Sequence, residues 1–196
     1  MKLGIFSFLV LFSMSISHAA DFEIVKDKTN VEFEAKGMPS LLTIKGLKGS
    51  GIGNLKIVKD LFSGEIFVDL NNFDTDIDTR NEHMKEKYLE TGKANFNISK
   101  LKFNSVLINK DFLVKAKKIE NQKIEGLLSL HGVDKNIDIQ LVEMNAVGSD
   151  EISGIVTFKV KLTDFGIEIP SFAGITIADE VLVKSNFVAK AISNKK

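Results

Sequence analysis

Cysteine and tryptophan are absent from this 196-residue chain, and it holds one tyrosine and a single arginine, Arg80. Without cysteine there is no disulfide, no thiolate nucleophile and no thiolate metal site. A leader-linked lipid anchor on cysteine is excluded for the same reason. A domain of this size does not need disulfide staples if its core is large enough. Charge of one sign is also lacking: 26 basic residues face 26 acidic ones. A nucleic-acid binder should be basic with clustered Lys and Arg, whereas the lysines here are scattered. Lysines on strand faces serve solubility and discourage edge-to-edge pairing. No Gly-x-Ser-x-Gly elbow and no His-Glu-x-x-His helix occurs, so the common hydrolase signatures are missing. Beyond His18, the histidines are His83 and His131, and two isolated histidines do not make a metal site.

The N-terminus carries the longest apolar run. Lys2 is followed by Leu3 through Phe12, and then by Ser17-His18-Ala19-Ala20. A short cationic region, an apolar region and a small-x-Ala site form a secretory signal peptide. The segment Leu3–Ile16, interrupted by Ser7, Ser13 and Ser15, is short for a bilayer span, which needs about 20 apolar residues. Ser17 and Ala19 occupy the −3 and −1 positions. Residues 1–19 are therefore expected to be cleaved, leaving one domain over residues 20–196 in the periplasm or outside the cell. Loss of Lys2 leaves that domain near a net charge of −1.

What is abundant is phenylalanine. There are fifteen, of which Phe6, Phe8 and Phe12 leave with the leader. Phe fills space without a polar tip, so the remainder line a dry interior, either a packed core or a cavity. The rest of the chain alternates. Val31, Phe33 and Ala35 interleave with Glu32, Glu34 and Lys36. The sets Ile137/Ile139/Leu141, Val156/Phe158/Val160/Leu162 and Val181/Val183/Ser185/Phe187/Ala189 do the same. A period of two puts one set on an apolar sheet face and the other in solvent. Further strands are expected around residues 64–70, 94–103, 112–116 and 124–130, making eight to ten in all. Hairpin turns are expected at Asn109-Lys110-Asp111 and Gly148-Ser149-Asp150. The glycines at 46, 49, 51 and 53 read as turns or strand bends, since no Gly-Lys-Ser/Thr follows to make a phosphate loop.

One stretch breaks the alternation. From Thr79 to Thr91, the residues Arg80, Met84, Tyr88 and Leu89 recur at helical spacing. Asp78 or Thr79 can cap such a helix, Glu82 completes a capping box, and Gly92 ends it. The preceding Asp74-Thr75-Asp76-Ile77-Asp78 lacks the glycine and the later Glu of a calcium loop and reads as a polar loop. An all-β chain with one apolar face per strand must become a sandwich or a closed barrel. A barrel of about eight strands is either filled by side chains or holds one small ligand.

Several blocks in order bear on that choice. Gly64–Leu70 leads to Asp74-Thr75 and on to Arg80-Asn81-Glu82-His83-Met84. Lys93-Ala94-Asn95-Phe96 follows, then Gly126-Leu127-Leu128-Ser129-Leu130-His131-Gly132-Val133-Asp134-Lys135. Thr163-Asp164-Phe165-Gly166 and Ala178-Asp179-Glu180 complete the series. In order and spacing this resembles the YceI-like family of exported bacterial lipid-binding proteins. The resemblance implies an all-β fold, an extended eight-stranded antiparallel lipocalin-like barrel with one short helix. It also implies an apolar pocket for a polyisoprenoid, an isoprenoid quinone or another long-chain amphiphile.

On that basis the chain is expected to be a non-enzymatic carrier. An isomerase- or cyclase-type barrel enzyme, and a packed barrel that binds a protein partner, are the alternatives. Expected pocket-lining residues are Phe33, Met84, Tyr88, Phe96, Leu128, Phe158, Phe165, Phe172 and Phe187, each of which could instead be plain core. Arg80 and His83 are candidate head-group contacts. Arg80 could otherwise pair with Asp76 or Asp78 and pin the helix, and His83 could bond locally. His131 is expected to be structural or exposed. No metal and no cofactor is expected beyond the bound lipid. Expected partners are a hydrophobic small molecule, a transient membrane contact and a second copy of the chain, with no nucleic acid. N-terminal sequencing of the exported protein should start at Ala20; retention of residues 1–19 would refute the leader assignment.

Overall fold

The computed structural model describes residues 19–38, 42–108, 112–113, 118–172 and 174–192. Nearly all of the expected leader, and the expected turn at 109–111, lie outside the described residues. The strands are β1 (Ala19–Ile24), β2 (Asn30–Met38), β3 (Thr43–Gly49), β4 (Gly51–Val58), β5 (Leu61–Asp69), β6 (Ile98–Leu107), β7 (Lys118–Leu130), β8 (Val133–Val147), β9 (Glu151–Lys161), β10 (Ser171–Phe172) and β11 (Ile175–Ala191). Every pairing between them is antiparallel.

The sheet runs β1-β4-β5-β6-β7-β8-β9-β11 and then closes, because β11 also pairs with β1. That is an eight-stranded barrel. β1 and β2 are one long strand interrupted by the 3-10 turn Lys26–Lys28, and both lie along β11. Thr29 holds that kink: its Oγ1 donates to the Val25 carbonyl at 3.0 Å. β3 and β4 are likewise one strand bent at Ser50, β3 pairing with β2 and β4 with β5.

β3 does not pair with β5. A single bridge, Leu47 with Asp74, joins β3 to the chain that leaves β5. The segment that follows covers the gap. Asp78–His83 form α1, which continues as a π-helical turn over Met84–Tyr88.

The helix ends before Thr91, close to expectation, but its start differs. Ile77 is the cap residue and no side chain caps it. The Thr79–Glu82 capping box does not form because Thr79 already lies inside the helix. The expected strand over 112–116 is also corrected: Phe112 and Leu113 stand in a turn, and residues 114–117 lie outside the described set. The Gly148-Ser149-Asp150 turn is present, with Gly148 at φ +64°.

Inside the barrel the two halves differ. In the half around β1, β4 and the far ends of β6 to β9, Phe22, Leu55, Phe103, Met144, Ile152 and Phe187 are all buried. The rings of Phe62 and Phe103 meet at 5.0 Å. Inward-facing glycine makes room for this bulk. A Cβ on Gly154 would lie 2.7 Å from the Phe187 ring and 2.8 Å from the Glu143 carbonyl oxygen. Gly154→Ala should therefore destabilise the fold by about 1–3 kcal/mol through overpacking, read as a lower midpoint in urea unfolding.

Candidate functional site

The other half of the barrel is hollow. An apolar cavity of about 220 Å³ lies between β2, β3, β9, β11 and the helical segment. Its wall takes Val31, Phe33 and Ala35 from β2 and Val181 and Val183 from β11. Leu128 comes from β7 and Phe158 from β9, and Met84, Tyr88 and Leu89 from the helical segment and the residue after it. The cavity opens where lining residues are exposed, beside Leu42 and His83. Polar lining is confined to Thr75, Arg80, His83, Tyr88 and Ser99.

Most of those polar atoms are occupied by the protein itself. Ser99 Oγ donates to the Ser129 carbonyl. The Tyr88 hydroxyl donates to the Ser171 carbonyl and accepts from the Ser171 N–H, both at 3.0 Å, so the ring lines the cavity while its tip pins the β10–β11 hairpin. Thr75, almost fully buried, accepts from Arg80 Nε at 2.9 Å and donates to Asn81 Oδ1 at 2.7 Å. A cavity lined this way offers a ligand burial and little hydrogen bonding, which suits an apolar chain.

The Asp74-Thr75…Arg80-Asn81 block is thus a clamp. Asn81 Oδ1 accepts from the Thr75 N–H, and its Nδ2 donates to Asp74 Oδ1. Arg80 Nη2 also donates to the Thr75 carbonyl. Arg80 does pin the helix, but through Thr75 and not through Asp76 or Asp78. Lys48 of β3 reaches Asp74 Oδ2 at 2.5 Å, tying the clamp to the adjacent strand. The bond from Lys48, then that from Asn81, then the Asp76 N–H, hold the Asp74 carboxyl well below its ordinary value of 3.8. The loop is polar as expected, and among the described residues no group of metal-ligating side chains occurs.

The structure brings Phe33, Met84, Tyr88, Leu128, Phe158, Arg80 and His83 to one cavity. It places three other candidates elsewhere. Phe187 faces inward but packs over Gly154 in the solid half. Phe165 is fully buried in the 3-10 turn Leu162–Phe165, behind the wall. Phe96 meets the His131 ring at a tilt, with centroids 4.4 Å apart, and covers Gly132. Alternation separates inside from outside but gives no height along the barrel, and Phe96 and Phe165 are not in strands at all. The side chain of Phe172 lies outside the described residues.

His131 is structural: Nδ1 meets the Phe165 carbonyl at 3.1 Å and Nε2 meets Glu90 Oε2 at 3.0 Å. Phe73, Val68, Ile44 and Ile177 line the cavity without having been singled out. Phe73 stands edge-on to Phe33 at 5.3 Å. The signal for these pairs was the glycines: Gly46 lies under the Phe33 ring and Gly49 under Phe73, too close for any Cβ.

A model of the YceI-like domain matches residues 22–189. Among solved structures, a polyisoprenoid binding domain from Saccharophagus degradans, implicated in plant cell wall breakdown, superposes with a TM-score of 0.69 at 18% identity. The match covers 87% of this chain and 98% of that one. BcnA from Burkholderia cenocepacia superposes with a TM-score of 0.64 at 14% identity, covering 84% of this chain and 98% of that one. At such identities the likeness is one of fold. No curated protein matches the sequence.

Asp74 gives a test of the clamp. Because its folded pKa is depressed, the stability it contributes is complete above about pH 4, where a free aspartate is ionised. It is lost as pH falls below that value toward the depressed folded pKa. Thermal unfolding followed from pH 6 to pH 2 should show a decline at the acid end that Asp74→Asn reduces.

Proposed function

The chain belongs to the YceI-like domain family, and from that membership and its dry cavity we propose that it is a non-enzymatic carrier of a hydrophobic amphiphile in the bacterial periplasm. The ligand class is an isoprenoid lipid, a polyisoprenoid or an isoprenoid quinone. The observation that carries the reading is the apolar cavity lining, with most of its few polar groups bonded to protein. Burial of apolar surface, at roughly 25 cal/mol per Å², is then the driving force for binding. Exposed His83 and the neighbouring Arg80 stand at the mouth, where a polar head would lie, and His83 can donate to a carbonyl or quinone oxygen. The void speaks against a barrel packed solid for a protein partner.

Export gives the carrier its task. A long apolar molecule beyond the inner membrane must otherwise stay in lipid or cross water. Exposed Met38 and Leu42, beside the mouth, suit a brief contact with a lipid surface during loading.

Native mass spectrometry of the protein isolated from the periplasm tests this reading. One amphiphile bound and recovered unchanged by organic extraction is the expected result. Conversion of added lipid, abolished in Arg80→Ala or His83→Ala, would instead establish an enzyme. Ile44→Trp, which fills the cavity from the edge strand β3, should weaken binding about fifteenfold, the equivalent of roughly two lost methylenes, with the fold retained by circular dichroism.

A further inference from the structure

The cavity ends partway down the barrel, at a definite layer. Leu128 and Phe158 line it, but their cross-strand partners do not: Leu101 opposite Leu128, and Ile139 opposite Phe158. Both partners face inward and both are buried. Their tips converge over Gly126, the next inward position below Leu128. A Cβ there would lie 2.7 Å from Ile139 Cδ1 and 3.3 Å from Leu101 Cδ1.

Below this layer the described side chains cross the interior. Phe103 fills the space over Gly64, Phe187 fills the space over Gly154, and Phe62 packs at a tilt against Phe103. Three inward glycines, one each on β5, β7 and β9, are thus covered by the bulk of neighbouring strands. Leu101 and Ile139 form the layer directly beneath the cavity and the lid of the solid half.

The volume above the floor sets a length. An empty apolar cavity of about 150 Å³ takes up one benzene ring of six carbons. The 220 Å³ here scales to about nine carbon atoms, roughly two isoprene units, by the same measure. Resting on the carrier reading above, we infer that the cavity is a length-limited site for short-chain isoprenoid or medium-chain amphiphiles, with Leu101 and Ile139 setting the limit. A longer polyisoprenoid is enclosed only at its terminus, and its remaining chain stays at the mouth.

A homologous series of n-alkanols from hexanol to tetradecanol, titrated into the purified protein by calorimetry, tests the limit. Each enclosed methylene should tighten binding about fourfold, from roughly 0.8 kcal/mol per methylene. The gain should stop near nine or ten carbons. Affinity that keeps rising through tetradecanol overturns the limit while leaving the carrier reading intact. Absence of binding at every length overturns the carrier reading and the limit with it. Ile139→Val, which removes one methyl, and Leu101→Ala should each move the break to longer chains. An unmoved break in folded Ile139→Val and Leu101→Ala proteins would overturn the role of these two residues. The wild-type series decides the limit even if Leu101→Ala fails to fold.

Discussion

β11 holds β9 along one edge and β1 together with β2 along the other, and this double pairing closes the sheet. The enclosed interior follows from that seam. An open sheet would leave β1 and β11 as edges, exposing unpaired backbone groups and an apolar face. Closure needs a strand long enough to serve both partners, and β11 spans Ile175–Ala191. It also needs the first strand to bend. The kink at Lys26–Lys28, held by Thr29, lets one stretch of chain follow β11 from end to end.

The second strand pays for this bend with a gap. Because β3 follows β2 away from β5, the wall is incomplete, and the segment after β5 fills the opening. Its hold on the barrel is polar. Asp74, Thr75, Arg80 and Asn81 satisfy one another, Lys48 anchors them to β3, and the Tyr88 hydroxyl grips Ser171. A polar clamp leaves the inner surface of the helical segment free to be apolar. The side of the barrel with least backbone pairing is thus the side where the cavity lies. Bonds of this kind exchange with water at modest net cost.

An eight-stranded barrel is only just wide enough to be filled by its own side chains. Here small differences decide between hollow and solid. Gly64, Gly126 and Gly154 let long side chains cross the interior in one half. In the other half Gly46 and Gly49 let Phe33 and Phe73 lie back against the wall, which keeps the space open. Glycine thus empties one end of the barrel and allows the other to be filled.

Much of this was legible in the chain. Alternation at Val31–Lys36, Val156–Leu162 and Val181–Ala189 placed the strands and their inward faces, because a period of two has one geometric meaning in a sheet. Helical spacing at Arg80, Met84 and Tyr88 located the helix and put its apolar residues on the side that meets the cavity. What the chain could not show was height along the barrel. Phe158 and Phe187 alternate in the same way, yet one lines the cavity and the other packs over Gly154. Height depends on strand stagger and on which glycine lies across the interior, and both are set by pairings between residues far apart in sequence. Local pattern by itself determined the faces of the alternating strands and the place of the helix; only the closed sheet decided where the interior stays empty.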